Sequence, residues 1–242
     1  MKYSPKDGIS VFLEPTNEAN GMTRDLEGRL VACEHATRRV TRFEHDGSVT
    51  VIADRYQGKR LNRPNDVVVK SDGSVYFTDP ALPSYPELEL DYKGVYRVSP
   101  DLKEISLLAN DWNIPNGLCF SPGESILYVN DSRERHIRAF DVLDNGLVAN
   151  SRIFCVLKGD RFGGPDGMKC DLDGNVYCTG PGGIWVIEPS GKHIGTILVP
   201  DGKRALNMAW GDDDWKTLYF TGLRELYRVR CRIPGVPVPR II

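Results

Sequence analysis

One pattern recurs five times along this chain: an Asn or Asp, a short apolar run, a polar turn, a second apolar run and a closing polar or small residue. The copies read Asn20-GMTRDLEGRLVACE, Asn65-DVVVKSDGSVYFTD, Asn116-GLCFSPGESILYVND, Asp166-GMKCDLDGNVYCTG and Asn207-MAWGDDDWKTLYFTG. Their leading residues are 45, 51, 50 and 41 positions apart. Self-similarity at such a period belongs to architectures that stack one small unit on the next, because a single unit cannot bury its apolar faces. Further apolar pairs lie between the copies, such as 40–43 with 49–52 and 94–98 with 105–108. Each repeat therefore supplies two hairpins. Asp46-Gly47, Asp72-Gly73, Asn145-Gly146 and Asp173-Gly174 mark turns in which Gly accepts a positive φ. No segment has apolar residues at helical spacing over ten or more positions. The reading is all-β, a β-propeller of four-stranded blades. A β-sandwich also has short strands, but it does not return the same residue to the same place five times.

Composition narrows the function classes. Lys and Arg number 31 against 33 Asp and Glu, a net charge of −2 that argues against bulk electrostatic binding to nucleic acid or an anionic membrane. No apolar run approaches the ~20 residues of a transmembrane helix. The opening residues lack the apolar core of a secretory signal, so the expected location is cytoplasmic. The six cysteines form no CxxC and no zinc-type spacing with His, so they are expected to be reduced structural thiols. One propeller domain is expected over residues 1–233. The Pro-rich tail, 234–242, lacks ladder donors and is expected to be disordered or to cover an edge.

Propeller geometry turns the repeats into a site. Equivalent positions of successive blades lie on a ring around the central channel. Asn20, Asn65, Asn116, Asp166 and Asn207 are therefore expected to converge there, at about equal depth. The residues closing the second strands, Glu34, Asp79, Asp131, Gly180 and Gly222, are expected at the same mouth. Oxygen-bearing side chains converging on an axis suit a hard divalent cation. The competing reading of any single copy is an Asn that merely caps a turn.

The segments Arg63-Pro64-Asn65-Asp66, Pro115-Asn116-Gly117 and Pro165-Asp166-Gly167-Met168 resemble the SMP-30/gluconolactonase/luciferin-regenerating family. Residues 20–40, 59–80 and 163–185 are similar to its bacterial gluconolactonase branch. The resemblance implies a six-bladed propeller of which about five blades are present here, the first being incomplete. The Glu that the family carries in an E-G-P-x-W context occurs nowhere in this sequence. The resemblance also implies a hydrolase opening a sugar lactone with one divalent metal at the channel mouth. Calcium is the first expectation, with zinc, manganese, magnesium and iron as alternatives. It matches Asn65, Asn116 and Asp166 to metal ligands, and Arg63 to a residue near the lactone.

Lactone hydrolysis needs a polarised carbonyl and an activated water. Asp166 and Arg63 are the expected catalytic residues, the first orienting water, the second donating paired hydrogen bonds. Asn20, Arg63, Asn65, Glu34, His35 and Asp79 are the expected substrate contacts. His45, His136 and His193 are read as surface residues. No G-x-S-x-G, G-x-G-x-x-G or P-loop supports a serine hydrolase or a nucleotide site. Two alternatives stand beside the lactonase: hydrolysis of another ester such as a phosphotriester, and a non-catalytic ligand-binding propeller. Self-association through an unpaired blade edge is expected in either case.

Overall fold

The second strands of the repeats are apolar at consecutive positions, Val75-Tyr76-Phe77, Leu127-Tyr128-Val129 and Val176-Tyr177-Cys178. Successive side chains of a strand point to opposite faces, so such a run demands burial on both sides. The computed structural model, which describes residues 1–82 and 87–239, provides that burial. Phe77 packs toward the first blade with Val31, Cys33 and Tyr96. Its neighbour Tyr76 packs toward the third with Leu118 and Phe120, ring against ring edge-on at 4.9 Å. Tyr177 meets Trp210 of the fifth blade at 5.0 Å, and Cys178 faces the third. Each large side chain buried this way contributes about 1.5–3 kcal/mol. The four cores lie between blades, not within them.

The blades follow chain order, each an antiparallel meander. The first comprises Ala19–Arg24, Leu30–Glu34, Arg39–Phe43 and Val49–Ala53. Val67–Val69, Val75–Asp79, Gly94–Val98 and Ile105–Ala109 build the second. Pro115–Phe120, Ile126–Asp131, His136–Val142 and Val148–Val156 build the third. The fourth has Met168–Cys170, Val176–Gly180, Gly183–Ile187 and His193–Leu198. The fifth has three strands, Met208–Gly211, Thr217–Thr221 and Leu226–Arg230. A separate antiparallel hairpin pairs Lys2–Ser4 with Gly8–Ser10. Among the described residues no helix is long and apolar enough to cross a membrane.

The predicted turns form, with one difference. Gly47 has φ +85°, but Asp46 is not left-handed, so the loop is a type I turn with glycine after it. Gly47 N–H donates to the Glu44 carbonyl and Asp46 Oδ1 accepts from Ser48 N–H, which fixes the turn from its own residues.

The tail does not behave as a disordered segment. Residues 234–239 run under the channel at the ends of the inner strands opposite the ring. Leu172 N–H donates to the Pro234 carbonyl, Gly235 N–H to Trp215 and Val236 N–H to Cys170. Gly235 lies so close to the Trp210 indole that any Cβ would enter the ring. Apolar contact and borrowed carbonyls replace the ladder that the prolines cannot join.

The two ends of the arc keep open faces. On the first blade, Met22 is 50% exposed, and a cavity of about 630 Å³ lies among Phe12, Leu13, Met22, Ala32 and Phe43. On the fifth blade, Tyr219 is touched by Tyr3 of the N-terminal hairpin, ring centres 6.2 Å apart.

Candidate active site

Each inner strand starts at a ring position, and the backbone there is tied to the blade before it. Gly21 N–H donates to the Asn65 carbonyl at 2.8 Å. Thr78 Oγ1 donates to the Asn116 carbonyl at 2.7 Å, and Asn130 Nδ2 to the Asp166 carbonyl at 2.6 Å. Gly167 N–H donates to the Leu206 carbonyl at 2.8 Å. Such close approach is why Gly follows the ring residue. A Cβ on Gly117 would collide with the Asp166 carbonyl oxygen, and one on Gly167 with the Asn207 amide.

Asn20, Asn65, Asn116, Asp166 and Asn207 all line one cavity of about 570 Å³ at this end of the channel. Leu206, Met208, Phe220 and Leu226 add an apolar flank from the fifth blade. The five are not equally deep. Asn20, at the open end of the arc, is exposed, whereas Asn65, flanked by blades on both sides, is buried. Their amides are committed differently. Asn116 Nδ2 donates to Ser132 Oγ at 3.0 Å, which leaves its carbonyl oxygen available. Asn207 Oδ1 accepts from Met208 N–H at 2.8 Å, so its carbonyl oxygen is committed to its own strand.

Asp166 is the acid of the ring. Burial and the nearby Asp66 carboxylate push its carboxyl up to about 7, against the opposing pull of Arg204 and a hydrogen bond from Asn116. Asp66 takes the place of the ring glycine in the second repeat and is 1% exposed. Burial raises its carboxyl as well, while Lys169, two backbone N–H groups and the Asn207 side chain lower it. The sequence reading passed over Asp66, although its departure from the Asn-Gly and Asp-Gly of the first, third and fourth copies marks it.

Arg63 and His35 pair with each other beside Asn20, behind the residues that line the cavity. Arg63 Nη1 donates to the His35 carbonyl. Burial and the Arg63 charge hold His35 below its ordinary range, and the Pro64 carbonyl accepts from its ring. The other ring nitrogen, Nε2, lies 3.2 Å from Asn20 Nδ2 and accepts from it. His136, expected at the surface, is instead half-buried in the third blade.

The closing carboxylates are placed otherwise than expected. Glu34 and Asp79 are 1% and 0% exposed; Glu34 is spent on the protein, whereas Asp79 keeps its buried Oδ1 without a hydrogen-bond partner. Glu34 accepts from Thr37, Thr41, Arg39 and Asn17. Asp79 accepts from Asn62 N–H at 2.8 Å, and Asp131 from the N–H groups of Asn113, Arg133 and Glu134. Asp79 and Asp131 anchor loops leading into or out of their blades, where bare N–H groups need an acceptor, whereas Glu34 is held by side-chain donors alone. Neither Glu34 nor Asp79 lines the ring cavity.

Arg204 also lines the cavity, and the repeat pattern did not point to it. The available signal was a basic residue shortly upstream of a ring position, as Arg63 precedes Asn65 and Arg204 precedes Asn207.

The family described as SMP-30/Gluconolactonase/LRE-like region matches residues 1–224. This chain belongs to that family. Gluconolactonase of Zymomonas mobilis subsp. mobilis is 32% identical over 260 aligned positions, covering 97% of this chain and 72% of that protein. The structure of a gluconolactonase from Xanthomonas campestris is 35% identical with a TM-score of 0.82, over 93% of this chain and 75% of that one. A calcium-binding protein, regucalcin from Agrobacterium tumefaciens, shares the fold at a TM-score of 0.67 and 20% identity, over 92% of each chain.

The SMP-30/gluconolactonase resemblance raises the question of a metal. No cluster of three His, Cys, Asp or Glu side chains suited to a metal occurs among the described residues. What the cavity does offer is hard oxygen: the Asp166 carboxylate and the amide oxygens of Asn65 and Asn116. This donor set fits an oxygen-seeking dication in kind, with one carboxylate to neutralise it.

Proposed function

We propose that this protein is a hydrolase opening a sugar lactone of the gluconolactonase type at the Asn65–Asn116–Asp166 end of the channel. The observation that carries the reading is the meeting of these three family-motif side chains in one open cavity, beside Arg63 and His35. Asn65, Asn116 and Asp166 would hold a divalent cation, calcium foremost, with zinc, manganese, magnesium or iron as alternatives. Bound there, the ion would polarise the ester carbonyl as a Lewis acid.

The residues of the chain account for the rest. Asp166, lining the cavity with the Asn65 and Asn116 amides, orients the attacking water and is the group placed to take its proton. The new bond joins water oxygen to the carbonyl carbon, the ring C–O bond breaks, and the ring oxygen leaves as a hydroxyl carrying a proton. Arg63, fixed through the His35 carbonyl, is assigned to the sugar hydroxyls, with Asn20 and neutral His35 beside it. The apolar flank of Leu206 and Leu226 limits water around the reacting ester.

Purified protein assayed on glucono-δ-lactone with and without each ion should release acid faster than buffer alone. Absence of turnover with every ion overturns the reading. The single ring carboxylate favours one second reading, a ligand-binding propeller without catalysis, which sugar binding without turnover would support.

A further inference from the structure

Several arginines of this protein are spent on carboxylates or carbonyls. Arg29 bridges Asp25, Glu27 and Glu44, Arg38 holds the Leu61 and Asn62 carbonyls, and Arg230 pairs with Asp214. Arg204 differs from these. Its Nε–H is buried without a hydrogen-bond partner, as is that of Arg97, but Arg97 still donates to the Ser74 hydroxyl, whereas Arg204 makes no ion pair among the described residues. Its side chain lines the ring cavity, where it is the only basic residue and Asp166 the only acidic one. The two feel each other's charge but stand beyond ion-pair contact. A half-exposed guanidinium with one buried, unanswered donor binds an arriving anion in the planar, paired manner that a hydroxyl cannot match.

We infer that Arg204 recognises an anionic substituent, a phosphate or a carboxylate, carried by the lactone away from its reacting ester. This rests on the lactonase reading for the identity of the ligand. The offset from Asp166 assigns the guanidinium to a remote group, since the reacting carbonyl belongs beside Asp166, Asn65 and Asn116. The substrates that fit are aldonolactones bearing a terminal phosphate, or sugar-diacid lactones bearing a second carboxylate.

The test compares parent, Arg204→Gln and Arg204→Lys on glucono-δ-lactone, its 6-phosphate, and a glucaric acid lactone. The parent is expected to prefer one anionic lactone over the neutral one, and which one identifies phosphate or carboxylate. In Arg204→Gln that preference should fall by roughly 10–100-fold, the loss appearing in KM, as expected for one charge-assisted contact. Arg204→Lys should recover part of it, because charge persists without the fork. A preference unchanged by Arg204→Gln, or absent from the parent, overturns the inference. Calorimetry with 6-phosphogluconate, glucarate and gluconate decides the matter even without turnover. An Arg204-dependent advantage of either dianionic acid over gluconate sustains the anion site while the lactonase reading fails, and equal affinities in parent and variant overturn it.

Discussion

Asn130 Nδ2 donates to the backbone carbonyl of Asp166 at 2.6 Å, so the acid of the fourth blade is held in place by a buried amide of the third. The same amide touches Met168 Sδ at 3.2 Å and Cys178 Sγ at 3.6 Å. Position at the ring is thus a property of two adjacent blades.

Asn130→Ala should leave that carbonyl unanswered at a cost of roughly 1–3 kcal/mol. Thermal melting should drop by about 2–4 °C per kcal/mol in a chain of this length. Lactone hydrolysis should fall further than the loss of folded protein accounts for, because Asp166 shifts. Equal melting temperatures for parent and variant would remove Asn130 from this role.

Asp166→Asn should lower lactone hydrolysis by at least ~100-fold, since the variant can neither receive a proton from water nor place a charge at the ring. The fold should persist, the side chains being nearly the same shape. Asp173→Asn, in an exposed turn where Asn serves as well as Asp, is the control and should hydrolyse like the parent. Wild-type turnover in Asp166→Asn would refute the assignment.

Burial pushes the Asp79 carboxyl up to about 7, despite N–H groups from Asn62 and Arg63 and the charge of Arg38. The folded chain therefore binds this proton more tightly than the unfolded chain, where the group titrates near 3.8. Its contribution to stability is whole below that value and is lost as pH rises through 7. Asp79→Asn, which keeps an acceptor and cannot ionise, should melt higher than the parent at pH 8, with the gap narrowing by pH 5. A pH-independent difference in melting would show that Asp79 carries no such linkage.

The open faces of the arc predict association. Ile9, Phe12 and Met22 are 63%, 59% and 50% exposed, an unusual density of apolar side chains on one side. Sedimentation should find concentration-dependent dimers or larger species in the parent. Phe12→Glu combined with Met22→Lys should shift the protein toward monomer. A parent that stays monomeric at high concentration would contradict this.

The ring was legible because it is written five times at one place in each repeat, and periodicity survives without knowledge of packing. The hairpins and the β class were legible for the same reason. Depth was not. Asn20 and Asn65 are the same letter in the same register, yet one is exposed and the other buried, because only one has blades on both sides. Nor could the letters Glu34 and Asp79 reveal that neighbouring side chains claim the one and a loop N–H the other, since carboxylates at a strand end look alike whether they face a ligand or a turn. Arg204 and Asp66 lie at irregular places, and the significance of each depends on what the other blades bring near it. The tail was misjudged because proline forbids a ladder without forbidding contact.

That tail alters what the channel is. Residues 234–239 are drawn across the far end by Cys170, Leu172 and Trp215, with only about 50 Å³ left between them and the inner strands. The far end is therefore a floor, and a ligand of the ring would reach Asp166 from the mouth, where Asn20 and Arg204 stand.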